Sequence, residues 1–192
     1  LTMTQGFFVR DLKENDVQKL IDLTSDFSSI FNIANSIVCA GPKICNFGIN
    51  NSQGLFNKII ETFKDKSFDI KNALPQLLIS GCHNSCAQPQ KGLIGFIGRK
   101  KRIGNNLIAT YSILFNGKVG PKMAKFGEVY GEIPAKRIPI FLEELANLKV
   151  NSDYADFAEF IENKESEIRE LVIRYSSLKS LSENPDSYSD FE

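Results

Sequence analysis

The stretch SIVCAGPKIC, residues 36–45, and its counterpart PQLLISGCHNSC, residues 75–86, decide how this chain is read. Each is a short apolar run that delivers a pair of cysteines. Ser36-Ile37-Val38-Cys39 reads as a buried strand running into Ala40-Gly41-Pro42, a turn signature, with Cys45 just beyond; Pro75 to Ser80 reads as a second strand with Gly81-Cys82-His83-Asn84-Ser85-Cys86 at its carboxyl end. Five residues separate Cys39 from Cys45, three separate Cys82 from Cys86, and 36 lie between the pairs. If the two strands lie side by side, four sulfurs surround one point, a site for a soft metal: zinc, copper(I) or an iron–sulfur cluster. Structural zinc knuckles favour a closer first pair. Gly41, Pro42, Ile44, Phe47 and Gly81 form a small, apolar shell, and glycines permit the close backbone approach a cubane cluster needs. The residues alone leave three readings open: a cluster, zinc, or four structural cysteines packed as small hydrophobes.

The rest of the chain bounds what such a site could serve. Its 192 residues suit one domain, or one with an appendage, and 42% hydrophobic with 24% charged residues excludes global disorder. Twenty-three Lys and Arg balance 23 Asp and Glu, so no long-range field draws the molecule to nucleic acid or an anionic membrane. No apolar run is long enough to suggest a membrane span and no secretory leader is evident, so a reducing, cytoplasmic setting with free thiols is expected. The chain opens at Leu1 inside an apolar alternating segment, as a processed chain or part of a longer one does.

Outward from the cysteine strands, LTMTQGFFVR (1–10) reads as an extended strand. Asp11 followed by Glu14 has the form of a helix cap, with a helix over 14–26, and Leu55, Ile59, Ile60 and Phe63 mark another over 52–66. Leu93–Ile97 and Leu107–Phe115 read as strands, with Arg99-Lys100-Lys101-Arg102 as a basic loop between them and Asn116-Gly117 as a turn. Ile138, Leu142, Leu145 and Leu148 predict a helix that accepts Pro139 in its first turn, and two more helices are expected over 152–163 and 164–180 before a frayed, acidic tail. Phe7, Phe8, Phe31, Phe56 and Phe63 fall at core-like positions.

Cys39-AGPKI-Cys45 with SG-Cys82-HNS-Cys86 resembles the Cys-x5-Cys and Cys-x3-Cys signature of the sulfite and nitrite reductases that couple siroheme to a 4Fe-4S cluster. LTMTQ resembles the Thr-x-x-Gln strand preceding that signature, Leu93-IGFIG the strand after it, Phe115-NGKVG the family's Leu-Gly-Gly turn, and Gly127-EVYGEIPAKRIPIFLEEL the segment leading into its closing helices. The resemblance covers roughly residues 1–165. It implies an α+β fold, a mixed sheet with flanking helices and a carboxyl-terminal helical segment. Residues 1–30 would end a ferredoxin-like half-domain, 31–165 would form the siroheme and cluster domain, and 166–192 a terminal helix and tail. It also implies that Cys39, Cys45, Cys82 and Cys86 hold the cluster, that Cys86 shares its sulfur with the siroheme iron, and that Asn84 and Gly81 lie beside the macrocycle. The activity implied is six-electron reduction of sulfite to sulfide or nitrite to ammonia, fed by a donor such as ferredoxin or a reductase subunit. The alternative is a cluster-only electron-transfer module without siroheme.

Two departures qualify the resemblance. His83, the only histidine, stands where the family commonly has Pro; it is either a proton donor to a reducible anion or an ordinary loop residue. The family's anion-binding Arg and Lys residues lie mostly in an amino-terminal half that 192 residues do not contain, so a second copy or that half would complete the pocket. Siroheme is rich in carboxylates and the substrate is an anion, so positive charge must be local. Arg10, Arg99, Lys100, Lys101, Arg102, Lys118 and Lys122 are the candidates, with Arg99–Arg102 equally readable as a solvated turn. No aromatic residues interleave that run, which argues against nucleic acid.

Overall fold

The two cysteine-bearing strands are neighbours. In the computed structural model, which describes residues 6–27, 29–121, 123–177 and 189–191, β1 (Ile37–Val38) and β2 (Leu77–Ser80) pair in parallel, Ile37 opposite Leu78 and Val38 opposite Ile79. β2 pairs in parallel with β3 (Ile94–Ile103), and the sheet then turns antiparallel through β4 (Asn106–Phe115) and β7 (Glu128–Pro134), in the order β1-β2-β3-β4-β7. A separate two-stranded ribbon, β5 (Lys118–Gly120) with β6 (Met123–Lys125), stands between β4 and β7 in the chain.

Alternation along β2 explains its sequence. Leu77 and Ile79 join Val38 in the main core, whereas Leu78 packs on the opposite face with Ile37 and Ala87, so all four β2 residues are buried and none is polar except Ser80. The helices close the core face. α2 (Ser52–Phe63) starts at Asn51, whose side chain accepts from Gly54 N, and buries Leu55, Ile59 and Phe63 at four-residue steps. After the short α3 (Phe68–Asn72), α4 (Ile138–Val150) inserts Phe141, Leu142 and Leu145 between α2, α3 and α6 (Glu165–Ser176); α5 (Phe157–Asn163) adds Phe160 and Ile161. Each such side chain contributes about 1.5–3 kcal/mol on burial. The expected α+β architecture is therefore present, with α6 resting on β7. No helix among the described residues is long and apolar enough to cross a membrane.

Several expectations are corrected. Arg99–Arg102 is not a loop: β3 continues through it, paired with β4 as far as Ile103 opposite Asn106, and the turn is Gly104-Asn105, with Gly104 at φ +58°. The reason is lateral. β2 ends opposite Ile97 and β7 ends opposite Thr110, the partner of Arg99, so from Lys100 onward β3 and β4 form a two-stranded ribbon open to water, where charged side chains fit. β7 and the β5–β6 ribbon were not expected as strands. Residues 6–10 form no strand, and Phe7 and Phe8 are 56% and 84% exposed, because no partner strand lies beside them among the described residues; residues 1–5 lie outside those. Phe63 is in the core, with Phe31 and Phe56 packed at its edge. The first helix, α1 (Glu14–Thr24), begins at Glu14 itself, so Asp11 sits too early to cap it and takes φ +55° instead; α1 buries no residue. The expected frayed tail falls largely at 178–188, outside the described residues, but Asp190 and Phe191 are held against Asn51.

Candidate functional site

Because β1 and β2 are parallel, both cysteine loops leave the sheet at the same end. Cys39 N donates to Ile79 O at 3.0 Å, carrying the pairing one residue past β1. Its Sγ lies 3.1 Å from Ser52 Oγ and accepts from Gly81 N at 3.1 Å, so the first residue after β2 is bonded to the first cysteine. The Cys39 carbonyl accepts from Gln53 Nε2 at 2.9 Å. The first loop is tight: Ile44 N and Cys45 N both donate to Gly41 O, with Gly41 at φ +72°, and Gly48 N donates to Cys45 O.

The chain leaving this loop stitches it to the second. Asn50 N donates to Gly81 O at 2.9 Å, and the fully buried Asn50 Nδ2 donates to Arg99 O and Thr110 O, at 3.0 and 2.8 Å, tying the loop to the ribbon of β3 and β4. The second loop folds over the outer face, where Ala87 N donates to Ser80 Oγ and Gln90 Nε2 to Ser85 Oγ; Ser85 and Gln88 take φ +56° and +55°. Gly98 beneath it is obligatory, because a Cβ there would lie 2.2 Å from Gly81 O.

All four cysteines are free: Cys82 buried, Cys39 and Cys45 half-buried, Cys86 exposed. Four thiols on two adjoining loops, with a backbone amide already donating to one sulfur, are the donor set a 4Fe-4S cluster takes. The donor chemistry fits. Among the described residues no three His, Cys, Asp or Glu side chains stand together as a metal-holding group. Cys39 turns to Ser52 and Gly81, while Cys86 opens into an outer groove of about 450 Å³ lined by Ile37, Leu78, Leu93 and Val119. Ile44 and Phe47, expected to shield the site, are 80% and 75% exposed.

The remaining candidates fall in three places. His83 and Asn84 are exposed beside Cys82, and Gly81 is buried at the junction of the loops. Arg99 and Lys100 stand on β3 near the first loop: Arg99 Nε donates to Ser112 Oγ at 3.4 Å, and Lys100 Nζ lies 4.0 Å from Asp190. Arg10, Lys101 and Arg102 are exposed, Lys122 lies outside the described residues, and Lys118 pairs at 2.9 Å with Glu162, whose carboxyl its hydrogen bond holds below the usual range. Sequence reading missed Asn50, Ser52 and Ser80, buried polar residues that fix the loops; the signal for the first two was a polar run, Asn50-Asn51-Ser52, at the start of an amphipathic helix, and for Ser80 its place as the one polar residue of an apolar strand.

No protein-family profile matches the chain. Over 92 residues, 47% of its length, it is 30% identical to a ferredoxin–nitrite reductase of Leptolyngbya laminosa, and over 85 residues, 44% of its length, 29% identical to a ferredoxin–nitrite reductase of Synechococcus elongatus. The matched stretches make up 17% and 16% of those relatives. Among solved structures it is similar to the Mycobacterium tuberculosis NirA protein, with a TM-score of 0.64 at 19% identity over 82% of this chain and 31% of that one. The structural likeness shows the shared fold, and the two partial sequence matches are both to ferredoxin–nitrite reductases. The paired cysteine loops on adjoining parallel strands thus stand in a fold shared with the NirA protein, in a chain that is similar over just under half its length to ferredoxin–nitrite reductases.

Proposed function

We propose that this domain binds a 4Fe-4S cluster through Cys39, Cys45, Cys82 and Cys86 and holds siroheme against Cys86, for six-electron reduction of sulfite to sulfide or nitrite to ammonia. The observation that carries the reading is the pair of cysteine loops at the same end of β1 and β2, bonded to each other through Gly81 N and Cys39 Sγ. When bound, the two cofactors supply the electron transfer. The chain's own residues do the rest. The Gly81 amide stabilises negative charge on Cys39, and Asn50 fixes the spacing of the loops. Cys86 is assigned the macrocycle, a reading supported by the exposure of its thiol at an apolar groove. Arg10, Arg99 and Lys100 are the cations assigned to carboxylates, with Asn84 and Gly81 beside the ring and Lys118 and His83 assigned to the anion and its protons.

The residue boundaries follow: 31–165 as the cofactor-binding unit, 1–30 as the end of a neighbouring half-domain, and 166–192 as terminal helix and tail. A ferredoxin, named in the relatives, is the proposed donor, and the cytoplasm the proposed setting. The chain spans under a third of the NirA protein, which favours one second reading: a cluster-carrying redox module whose anion pocket is completed by an amino-terminal half or a second copy. An anaerobic visible spectrum with iron and acid-labile sulfide assays separates them. The siroheme band with iron in excess of sulfide supports the reductase domain, equal iron and sulfide without the band supports the module, and absence of iron after anaerobic reconstitution with iron, sulfide and siroheme sinks both.

A further inference from the structure

The hydroxyl of Ser52 is wedged between the two cysteine loops. Ser52 is fully buried at the start of α2, and its Oγ lies 3.1 Å from Cys39 Sγ and 3.1 Å from the Cys39 carbonyl oxygen. Glycines in both loops leave it room: a Cβ on Gly41 would stand 3.2 Å from that hydroxyl oxygen, and one on Gly81 3.4 Å from it.

A serine has one hydroxyl proton, and here two acceptors compete for it. The carbonyl has another donor, Gln53 Nε2 at 2.9 Å, which leaves the Ser52 proton for the sulfur. In the free thiol either atom of the O···S contact can be the donor. A metal-bound sulfur is a thiolate, which only accepts, so the direction is then fixed from Ser52 to Cys39. With Gly81 N at 3.1 Å, Cys39 Sγ receives two hydrogen bonds, and it is the one cysteine sulfur of the four that receives any among the described residues.

We propose that Ser52 is a positioning residue whose hydroxyl donates to the Cys39 sulfur and, together with the Gly81 amide, raises the reduction potential of the bound 4Fe-4S cluster, a role that rests on the four cysteines holding that cluster. One-electron reduction by the donor protein adds one negative charge, shared by the sulfurs, with no bond made or broken. A hydrogen-bond donor at a sulfur therefore favours the reduced form over the oxidised one.

The test is an anaerobic dithionite titration of the chain reconstituted with iron and sulfide, read by electron paramagnetic resonance of the reduced cluster. Ser52→Ala should lower the midpoint potential: where half of the parent's clusters are reduced, the oxidised-to-reduced ratio in the variant should be at least about threefold higher. Ser52→Thr keeps the hydroxyl and should hold the parent's potential. Ser36→Ala is the control, because its hydroxyl serves Ile33 O and Leu77 N on the same pair of strands and touches no sulfur; its potential should not move. Equal potentials in the loaded parent and the loaded Ser52→Ala chain overturn the proposal and leave the cluster reading standing. So does a Ser36→Ala shift as large as that of Ser52→Ala. A Ser52→Ala chain that takes up no iron while the parent does makes Ser52 a structural part of the loops and overturns the proposal as well. A parent that takes up no iron overturns the cluster reading and the proposal together.

Discussion

Gly81 N points at Cys39 Sγ across 3.1 Å, so the residue that opens the second cysteine loop is bonded to the thiol that opens the first. The contact exists because β1 and β2 run in parallel and end together, and it leaves no slack: Gly81 O accepts from Asn50 N on one side and faces Gly98 on the other.

Gly98→Ala tests that lack of slack. Its Cβ would meet Gly81 O at 2.2 Å and Gly81 C at 2.3 Å, both backbone atoms, so the second loop must move. A loss of at least about 2 kcal/mol in urea unfolding is expected, with lower iron incorporation on reconstitution. Gly104→Asn is the control: nothing lies within 4 Å of its Cβ position and Asn tolerates positive φ, so stability should change by no more than about 0.5 kcal/mol.

Asn50 clamps the loops by donating to Arg99 O and Thr110 O from a fully buried amide. Asn50→Ala leaves both carbonyls without that donor and should cost about 2–4 kcal/mol. Asn50→Asp should cost at least as much, since it sets an acceptor against two acceptors. A variant Asp protein as stable as the parent in urea titration would contradict the clamp.

Cys45→Ser and Cys86→Ser should separate by their surroundings. Cys45 sits in a tight loop and Cys86 in solvent, so neither change alters the metal-free fold by more than about 1 kcal/mol. On anaerobic reconstitution, Cys45→Ser should lose iron and sulfide, whereas Cys86→Ser should lose the siroheme band. Full siroheme retention in Cys86→Ser rules out its assigned role.

Tyr175 gives a pH dependence whose sign is determined. Burial first, then its hydrogen bond to Glu144 at 2.6 Å, push its pKa up to about 12 from an ordinary 10. The raised folded-state pKa means that this stabilisation is complete below pH 10 and disappears as pH rises through about 12. Burial also pushes Tyr111 upward and adds to the slope. The fall in urea midpoint between pH 9 and pH 11.5 should therefore be smaller in Tyr175→Phe than in the parent; equal falls refute the assignment.

What the sequence determined by itself was local: two apolar runs ending in cysteines, the amphipathic spacing of Leu55, Ile59 and Phe63, and the Pro139 that opens α4, all set by neighbours within a few residues. Tertiary structure decided what depends on lateral partners. Arg99–Arg102 became strand because β4 lies alongside while β2 stops, and Phe7 and Phe8 stayed exposed for want of a strand to pair with among the described residues. The sulfur of Cys39 found Ser52 and Gly81, and Asp190 found Asn51 across 139 residues of chain, because backbone donors unused by helix or strand must be met by whatever the fold brings beside them.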